Sequence, residues 1–353
     1  MENIPASQTQ VAVVGGGPAG LMAAQAMAEA GLAVTVFERM PSVGRKLLMA
    51  GRGGLNLTHS EPLERFVPRY GAAASWMAKL LEALPPQALI EWCEGLGQPS
   101  FVGSSGRVFP KAMKASPLLR AWLKRLDGMG VRIVTRAQWS GWDNDGALRF
   151  ADGTNFEADA VVLALGGGSW PRLGSDGGWT TLLPGVKVAP LQPANCGFQV
   201  AWSAMFRARH AGSPLKRIVL SFEGRRVEGE AMIAAAGIEG GAVYALSAPL
   251  REAIAREGVA LLQIDLRPDL SLDNLSEKLD GPRGGLSLSN FLRKRGGLSP
   301  VAIGLVQEAL HATANGGATE PLAPLIKALP LRLLARLLLL KNFARWRCAS
   351  QQA

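Results

Sequence analysis

Residues Val11 to Glu38, VAVVGGGPAGLMAAQAMAEAGLAVTVFE, constrain the fold more than any other stretch of the chain. The apolar run Val11-Ala12-Val13-Val14 reads as a parallel strand buried on both faces. Gly15, Gly17 and Gly20 follow at the spacing G-x-G-x-x-G. The first allows a tight turn, the second lets backbone approach a pyrophosphate, and the third lets the next helix pack on the strand. That helix is expected from about Pro18 to Ala30, ended by Gly31. A second strand, Ala33 to Phe37, leads to Glu38, placed to accept hydrogen bonds from a ribose hydroxyl. A glycine-rich turn in some other α/β protein would account for neither the spacing nor the acid.

At 353 residues the chain has room for two or three domains, and 48% apolar content allows a large core. Cys93, Cys196 and Cys348 show neither disulfide nor metal spacing, and His59, His210 and His311 are scattered. No metal is expected, and the cysteine usage fits a cytoplasmic protein. The N-terminal MENIPASQTQ lacks a signal-peptide pattern, and no apolar run approaches a membrane span. The formal charge of +10 fits an acidic partner such as nucleic acid, and fits equally a merely soluble basic protein.

Two clusters follow Glu38: Gly44-Arg45-Lys46 and Gly51-Arg52-Gly53-Gly54-Leu55-Asn56. Glycines let such a loop run close to a flat ligand. Arg45 and Lys46 can meet phosphate charge, and Asn56 and Thr58 can bond a heterocycle edge. A solvated basic loop is the alternative; direct succession to the ribose-binding acid favours the ligand. Residues 61–128 read as helical and covering the sheet, with apolar spacing at Trp76–Leu84 and Gln87–Leu96, and with Pro117 opening a helix to Leu126. Val131 to Val134 reads as a third parallel strand, and Trp139 and Trp142 lead into a small antiparallel excursion. Asp159 to Leu165 returns to a buried strand ending in Gly166-Gly167-Gly168, at the carboxyl end of the sheet, where ligands bind.

Together GGGPAG with Glu38, GRKLLMAGRGGLNLTHSE, SSGRVFP, LALGGGSWPRLGSDG, PANCGF and GIEGGAVYALSA resemble the BaiN-like NAD(P)/FAD-dependent oxidoreductase family, over about residues 10–330. The resemblance implies an α/β fold: an FAD-binding, Rossmann-like (two-dinucleotide-binding-domain) architecture with an inserted β-barrel-like domain and a helical segment. It implies a pyrophosphate site at Gly15, Gly16, Gly17, Pro18, Ala19 and Gly20, and the adenosine ribose at Glu38 with Arg39 beside it. Gly44, Arg45, Lys46, Gly53, Gly54 and Asn56 would run beside the flavin. The main chain at Trp139 would meet adenine, and Ala164, Gly166 and Gly167 would pack on the cofactor. Activities in the wider family include reduction of a uridine in ribosomal RNA and of a conjugated double bond in a steroid-like molecule.

The expected division is 1–190 for the FAD-binding domain, 191–270 for the β-rich insertion, 271–330 for the helical segment and 331–353 for an atypical tail. Residues 190–353 carry 20 Lys and Arg against 13 Asp and Glu, seven of the ten net positive charges. That excess would suit RNA phosphates; Arg293-Lys294-Arg295 could equally be a solvated helix end. Cys196 reads as a small buried thiol, with proton donor as the alternative. The family closes with a strand, a glycine and acidic turn, and a helix that complete the FAD site. Here LRLLARLLLLKNFARWRCASQQA stands instead, the pattern of a truncated or frame-shifted end. Leu331 to Leu340 is expected to form a basic amphipathic helix on which the inserted domain does not depend. The function expected is hydride transfer from NAD(P)H through FAD to an electron-poor double bond, in RNA or, alternatively, in a small molecule. A non-catalytic dinucleotide- or RNA-binding remnant is the reading from another class.

Overall fold

The structure is a computed structural model that describes residues 8–49, 54–314 and 321–337. It divides between Gln192 and Pro193 into two compact units.

The first unit is built on a parallel sheet. Its elements are β1 (Gln10–Val14), α1 (Pro18–Glu29), β2 (Ala33–Glu38), α2 (Ala115–Gly128), β3 (Arg132–Thr135) and β4 (Ala160–Leu163). The strand order is β4-β1-β2-β3, with Val13 between Val36 and Val162. Alternation along the strands supplies two cores. Val13, Val34 and Val36 pack with Leu21, Leu118 and Trp122 on one face. Ala12, Val14 and Phe37 pack with Trp139, Leu148 and Phe150 on the other. Those last residues come from the three-stranded antiparallel sheet Trp139–Trp142, Leu148–Phe150 and Asn155–Phe156.

Gln25 of α1 is the polar anchor of the first face. It is 4% exposed, and its Oε1 accepts from Trp122 Nε1 at 2.8 Å and Trp92 Nε1 at 3.1 Å. The two indoles meet edge to face, with ring centres 4.8 Å apart. Gln25→Leu keeps the bulk and removes the acceptor. The expected loss is about 2–6 kcal/mol, from about 1–3 kcal/mol for each of the two orphaned donors. Denaturant unfolding checks it; a loss under about 0.5 kcal/mol, the scale of an ordinary surface change, would mean that the indoles bond elsewhere.

Two local expectations change. α2 starts at Ala115, so Pro117 stands at its third position and not its first; Pro remains tolerated there because first-turn amides have no helical acceptor to lose. The helix Ala74–Ala83 buries none of its residues. Trp76, Leu80 and Leu84 form an exposed stripe, with Trp76 64% exposed, so this helix is no cover for the sheet. Helical spacing showed that the residues share a face and not what that face meets.

The second unit is an antiparallel sheet wrapped by helices. Its strands are β5 (Phe198–Gln199), β6 (Pro214–Phe222), β7 (Arg225–Ala234), β8 (Gly237–Glu239), β9 (Ala260–Asp265) and β10 (Leu329–Leu333), in the order β5-β8-β7-β6-β9-β10. The helices Leu272–Leu279, Leu288–Lys294, Pro300–Ala314 and Leu322–Lys327 place Leu275, Leu292, Val306 and Ile326 in the same core. Lys327 Nζ sits 2.7 Å from the Asp265 carboxylate, tying the last of these helices to β9. Among the described residues no helix is long and apolar enough to cross a membrane.

The segment from Leu329 overturns the expected amphipathic helix as far as it is described. β10 pairs antiparallel with β9, Leu331 opposite Leu262 and Leu333 opposite Ala260. The chain then pairs with the opposite edge of the same sheet. Gln199 donates to Ala335 O at 2.7 Å, Leu334 to Gln199 O at 3.0 Å and Leu337 to Gly197 O at 2.9 Å. One run of nine residues, 329–337, therefore joins both edges and closes the sheet into a barrel-like form. Leu329, Leu331 and Leu333 are buried, while Pro330, Arg332 and Leu334 are exposed. That alternation is the strand period, and it makes the segment part of the core from which it was expected to be independent. Residues 338–353, including Cys348, lie outside the described residues.

Candidate functional site

The site is the carboxyl edge of the parallel sheet in the first unit. β1 ends at the glycine turn, and its shape is set by neighbours on two sides. Gly15, at φ +114°, lies so close to the main chain leaving β4 that a Cβ would run into Ala164 O. Gly20 packs on the Gly15 carbonyl in the same way, which brings α1 against β1. Gly16 is held on the other side, against Val43 and Glu38, and its carbonyl accepts from Gly44 N at 2.8 Å. Gly17 differs: a Cβ there meets nothing within 4 Å among the described residues. The space before the helix is open at this one glycine of the motif. Pro18 occupies the first helical position, so the amides of Ala19 and Gly20 stand free of helical acceptors at the positive end of α1.

Glu38 closes β2 and faces the turn. Its Oε2 accepts from Gly16 N at 2.9 Å and its Oε1 from Met40 N at 2.8 Å. A carboxylate has about four acceptor positions, so both oxygens keep a free lone pair for ribose hydroxyls. The backbone amides fix the carboxylate beside the glycine turn.

The cations beyond Glu38 separate by role. Arg39 is taken up in a two-bonded pair with Asp176, at 3.1 and 2.7 Å. That pair, first through its hydrogen bonds, holds the Asp176 carboxyl below the usual carboxylate range. Lys46, on the helical turn Arg45–Leu48, donates to Ser169 Oγ at 2.6 Å and reaches Ser175 Oγ at 3.4 Å. Burial lowers its ammonium pKa, and none of its described partners is a carboxylate. Arg45 donates to Ser42 Oγ at 3.3 Å, and its Nε is buried with no partner among the described residues. The Asn56 Oδ1 and Trp139 Nε1 atoms are orphaned in the same sense.

The remaining predicted positions have structural duties. Gly54, at φ +96°, lies against Met113, and Leu55 N bonds Met113 O at 3.0 Å. Gly166 O accepts from Trp179 Nε1 at 3.1 Å, and Gly167 O from Ser175 Oγ at 2.8 Å. Gly53 lies outside the described residues. Asp176, Ser169 and Ser175 were missed in the sequence; the signal available was polar residues spaced among the glycines of GGGSWPRLGSDGG. In the second unit, Cys196 is buried in the apolar core, and burial pushes its thiol up, opposed by the Ser247 hydroxyl and the charges of Arg251 and Arg336. Among the described residues no three His, Cys, Asp or Glu side chains converge as a metal site.

The first unit can therefore hold an anionic, ribose-bearing ligand: open space at Gly17, a helix N-terminus, a fixed carboxylate, a half-buried ammonium without a carboxylate, and unspent polar atoms at Arg45 and Asn56. The 3-dehydro-bile acid delta(4,6)-reductase of Clostridium scindens is 28% identical over 74% of this chain and 65% of its own length. The ribosomal RNA dihydrouridine synthase of Haemophilus influenzae is 25% identical over 67% of this chain and 60% of its own. The chain thus spans somewhat less than two thirds of the curated relatives it matches. Among solved structures, THI4 of Thermovibrio ammonificans aligns at 17% identity over 45% of this chain and 58% of that one, with a TM-score of 0.31, too slight a likeness to build on. The family described as HI0933-like protein Rossmann domain matches residues 9–317, and the chain belongs to it.

Proposed function

We propose that the chain is an FAD-dependent oxidoreductase that reduces an electron-poor carbon–carbon double bond with electrons from NAD(P)H. The observation that carries this reading is the open space at Gly17 beside a carboxylate held by two backbone amides. Both named relatives support the choice of reaction, since each name describes saturation of a double bond. The chemistry FAD supplies when bound is acceptance of a hydride from a nicotinamide and its donation to the substrate carbon.

The chain's own residues bind and orient. The pyrophosphate would lie at Gly17 and the N-terminus of α1, where main-chain amides and the helix dipole favour negative charge. Glu38 would accept from the adenosine ribose with the lone pairs its amide partners leave free. Lys46 would gain the anion it lacks, and its half-buried setting makes that pairing stronger than in open solvent. Arg45 Nε and Asn56 Oδ1 would spend their unpaired atoms on the flavin side. The main chain at Trp139 would meet adenine, and Gly166 and Gly167 would line the ligand from the β4 side. The test is the absorbance spectrum of the purified protein with and without added FAD; no flavin bands after titration would overturn the assignment.

Glu38→Ala gives a graded check. FAD binding is expected to weaken by about 1.5–3 kcal/mol, the range for hydrogen bonds to a charged group. Equal dissociation constants for wild type and variant would remove Glu38 from the ribose site.

Two substrate classes fit. Exposed cations on the second unit, among them Lys216, Arg217, Arg225, Arg226 and Arg293 to Arg295, favour RNA. Binding to an RNA through phosphates would fall steeply with salt, because each contact releases counterions. Binding that ignores salt would leave the small-molecule reductase as the reading.

A further inference from the structure

The segment leaving β4 crosses the edge of the sheet. It starts at Ala164, packed on Gly15. It folds back on itself at Trp170 and Ser175, whose amides and carbonyls exchange hydrogen bonds of 2.9 and 3.0 Å. It then reaches the residues just past β2. Asp176 takes both Arg39 bonds, and Gly174 lies so close to Met40 that a Cβ would stand 2.7 Å from its side chain. In the order β4-β1-β2-β3, a chain running from the end of β4 to the end of β2 must pass the end of β1. That end is the glycine turn.

Two attachments hold this crossing. Arg39 and Asp176 fasten its far end, and Lys46 fastens its middle through Ser169 and Ser175. Ser175 Oγ bonds Gly167 O at 2.8 Å, and Gly178 N bonds Asp176 Oδ1 at 3.1 Å, so both attachment points are braced from within. Lys46 carries a second duty, as the cation facing the ligand space. The Arg39–Asp176 pair has no such duty: the two terminal nitrogens of the guanidinium bond the two carboxylate oxygens.

We propose that residues 166–178 form a strap across the dinucleotide crevice and that Arg39 and Asp176 are its clasp. This rests on the dinucleotide reading above and adds to it. The two residues would be positioning residues that set how fast the bound cofactor leaves without touching it. An Arg next to the ribose-binding acid could otherwise be taken as a phosphate ligand; here its fork is already spent on a carboxylate.

The test is a double-mutant cycle of Arg39→Met, Asp176→Asn and both together, on the full chain. FAD release is followed by flavin fluorescence after dilution, and amide exchange of 166–178 is followed in the FAD-free protein. Each single variant is expected to speed release and strap exchange about five- to tenfold, as for a bidentate pair about one-third exposed, with exchange in β1 and β2 unchanged. The double variant should match the singles, since either change alone opens the clasp. Release within twofold of wild type, unchanged strap exchange, or effects that multiply in the double variant would each overturn the proposal. A strong effect of Arg39→Met with none of Asp176→Asn would make Arg39 a direct ligand and also overturn it. Wild type that takes up no FAD would bring down the dinucleotide reading and the strap with it. Wild type that binds while the variants release normally would bring down the strap alone.

Discussion

A chain ending at Ala328 is expected to lose the folded barrel of the second unit while keeping the parallel sheet of the first. The cut removes β10 and with it the ladder to β9 and the pairing of 334–337 with Gly197 to Gln199. It also removes Leu329, Leu331 and Leu333 from a core they share with Leu262 and Ile264. Full burial of one such side chain is worth about 1.5–3 kcal/mol, so three approach the whole stability of an ordinary domain, about 5–15 kcal/mol. Both edges of the sheet would be left open together, which invites aggregation as well as unfolding. Hydrogen exchange on the full and shortened chains checks this, reading the amides of Pro214–Phe222 and Gln10–Val14 separately. A point variant refines it. Leu333→Asp puts an unpaired carboxylate at a fully buried position and should cost about 4 kcal/mol or more, whereas Arg332→Asp on the exposed side should stay within about 0.5 kcal/mol. If the barrel amides stay protected in the shortened chain, the closing role of 329–337 is wrong.

The misreading of this segment has a physical source. LPLRLLARLLLL contains both periods. Arg332 and Arg336 are four apart, as on one helix face, yet Leu329, Leu331 and Leu333 alternate with Pro330 and Arg332. The choice was made by the partner: the edges of β9 and β5 each offer unpaired main-chain groups, and only an extended chain meets both. Such long-range pairing leaves no trace in a window of ten residues.

The first unit was legible for the opposite reason. Strand, glycine turn, helix, strand and acid are consecutive, so local sequence carries the geometry. The same holds for the excursion through Trp139, where Asp143 to Gly146 and Asp152-Gly153 mark the turns. What local sequence did not carry was the pairing of Arg39 with Asp176 or of Lys46 with Ser169, residues 137 and 123 positions apart. In the sequence Lys46 reads as a cation for phosphate, and Arg39 as a cation beside the ribose-binding acid. Their partners separate them: Arg39 found a carboxylate, and Lys46 found hydroxyls that leave its charge uncompensated.

The glycines of the turn give the sharpest contrast between fold and ligand. Gly17→Val and Gly20→Val make the same chemical change three residues apart. At Gly17 the backbone is at φ −81°, ψ 179°, extended and open to any residue, and a Cβ enters free space. The fold should tolerate valine there, with unfolding free energy within about 1 kcal/mol of wild type. FAD binding should be lost, because the branched side chain fills the volume where main chain must approach the pyrophosphate. At Gly20 a Cβ runs into the Gly15 carbonyl and crowds Ala164. Accommodating it means moving α1 off β1, so the first unit itself should lose about 3 kcal/mol or more and bind no FAD as a consequence. Circular dichroism melts paired with FAD titration separate the cases: Gly17→Val folded and empty, Gly20→Val destabilised and empty. If Gly17→Val binds FAD as wild type does, the open space at that glycine is not where the pyrophosphate lies, and the site must be sought elsewhere along the sheet edge.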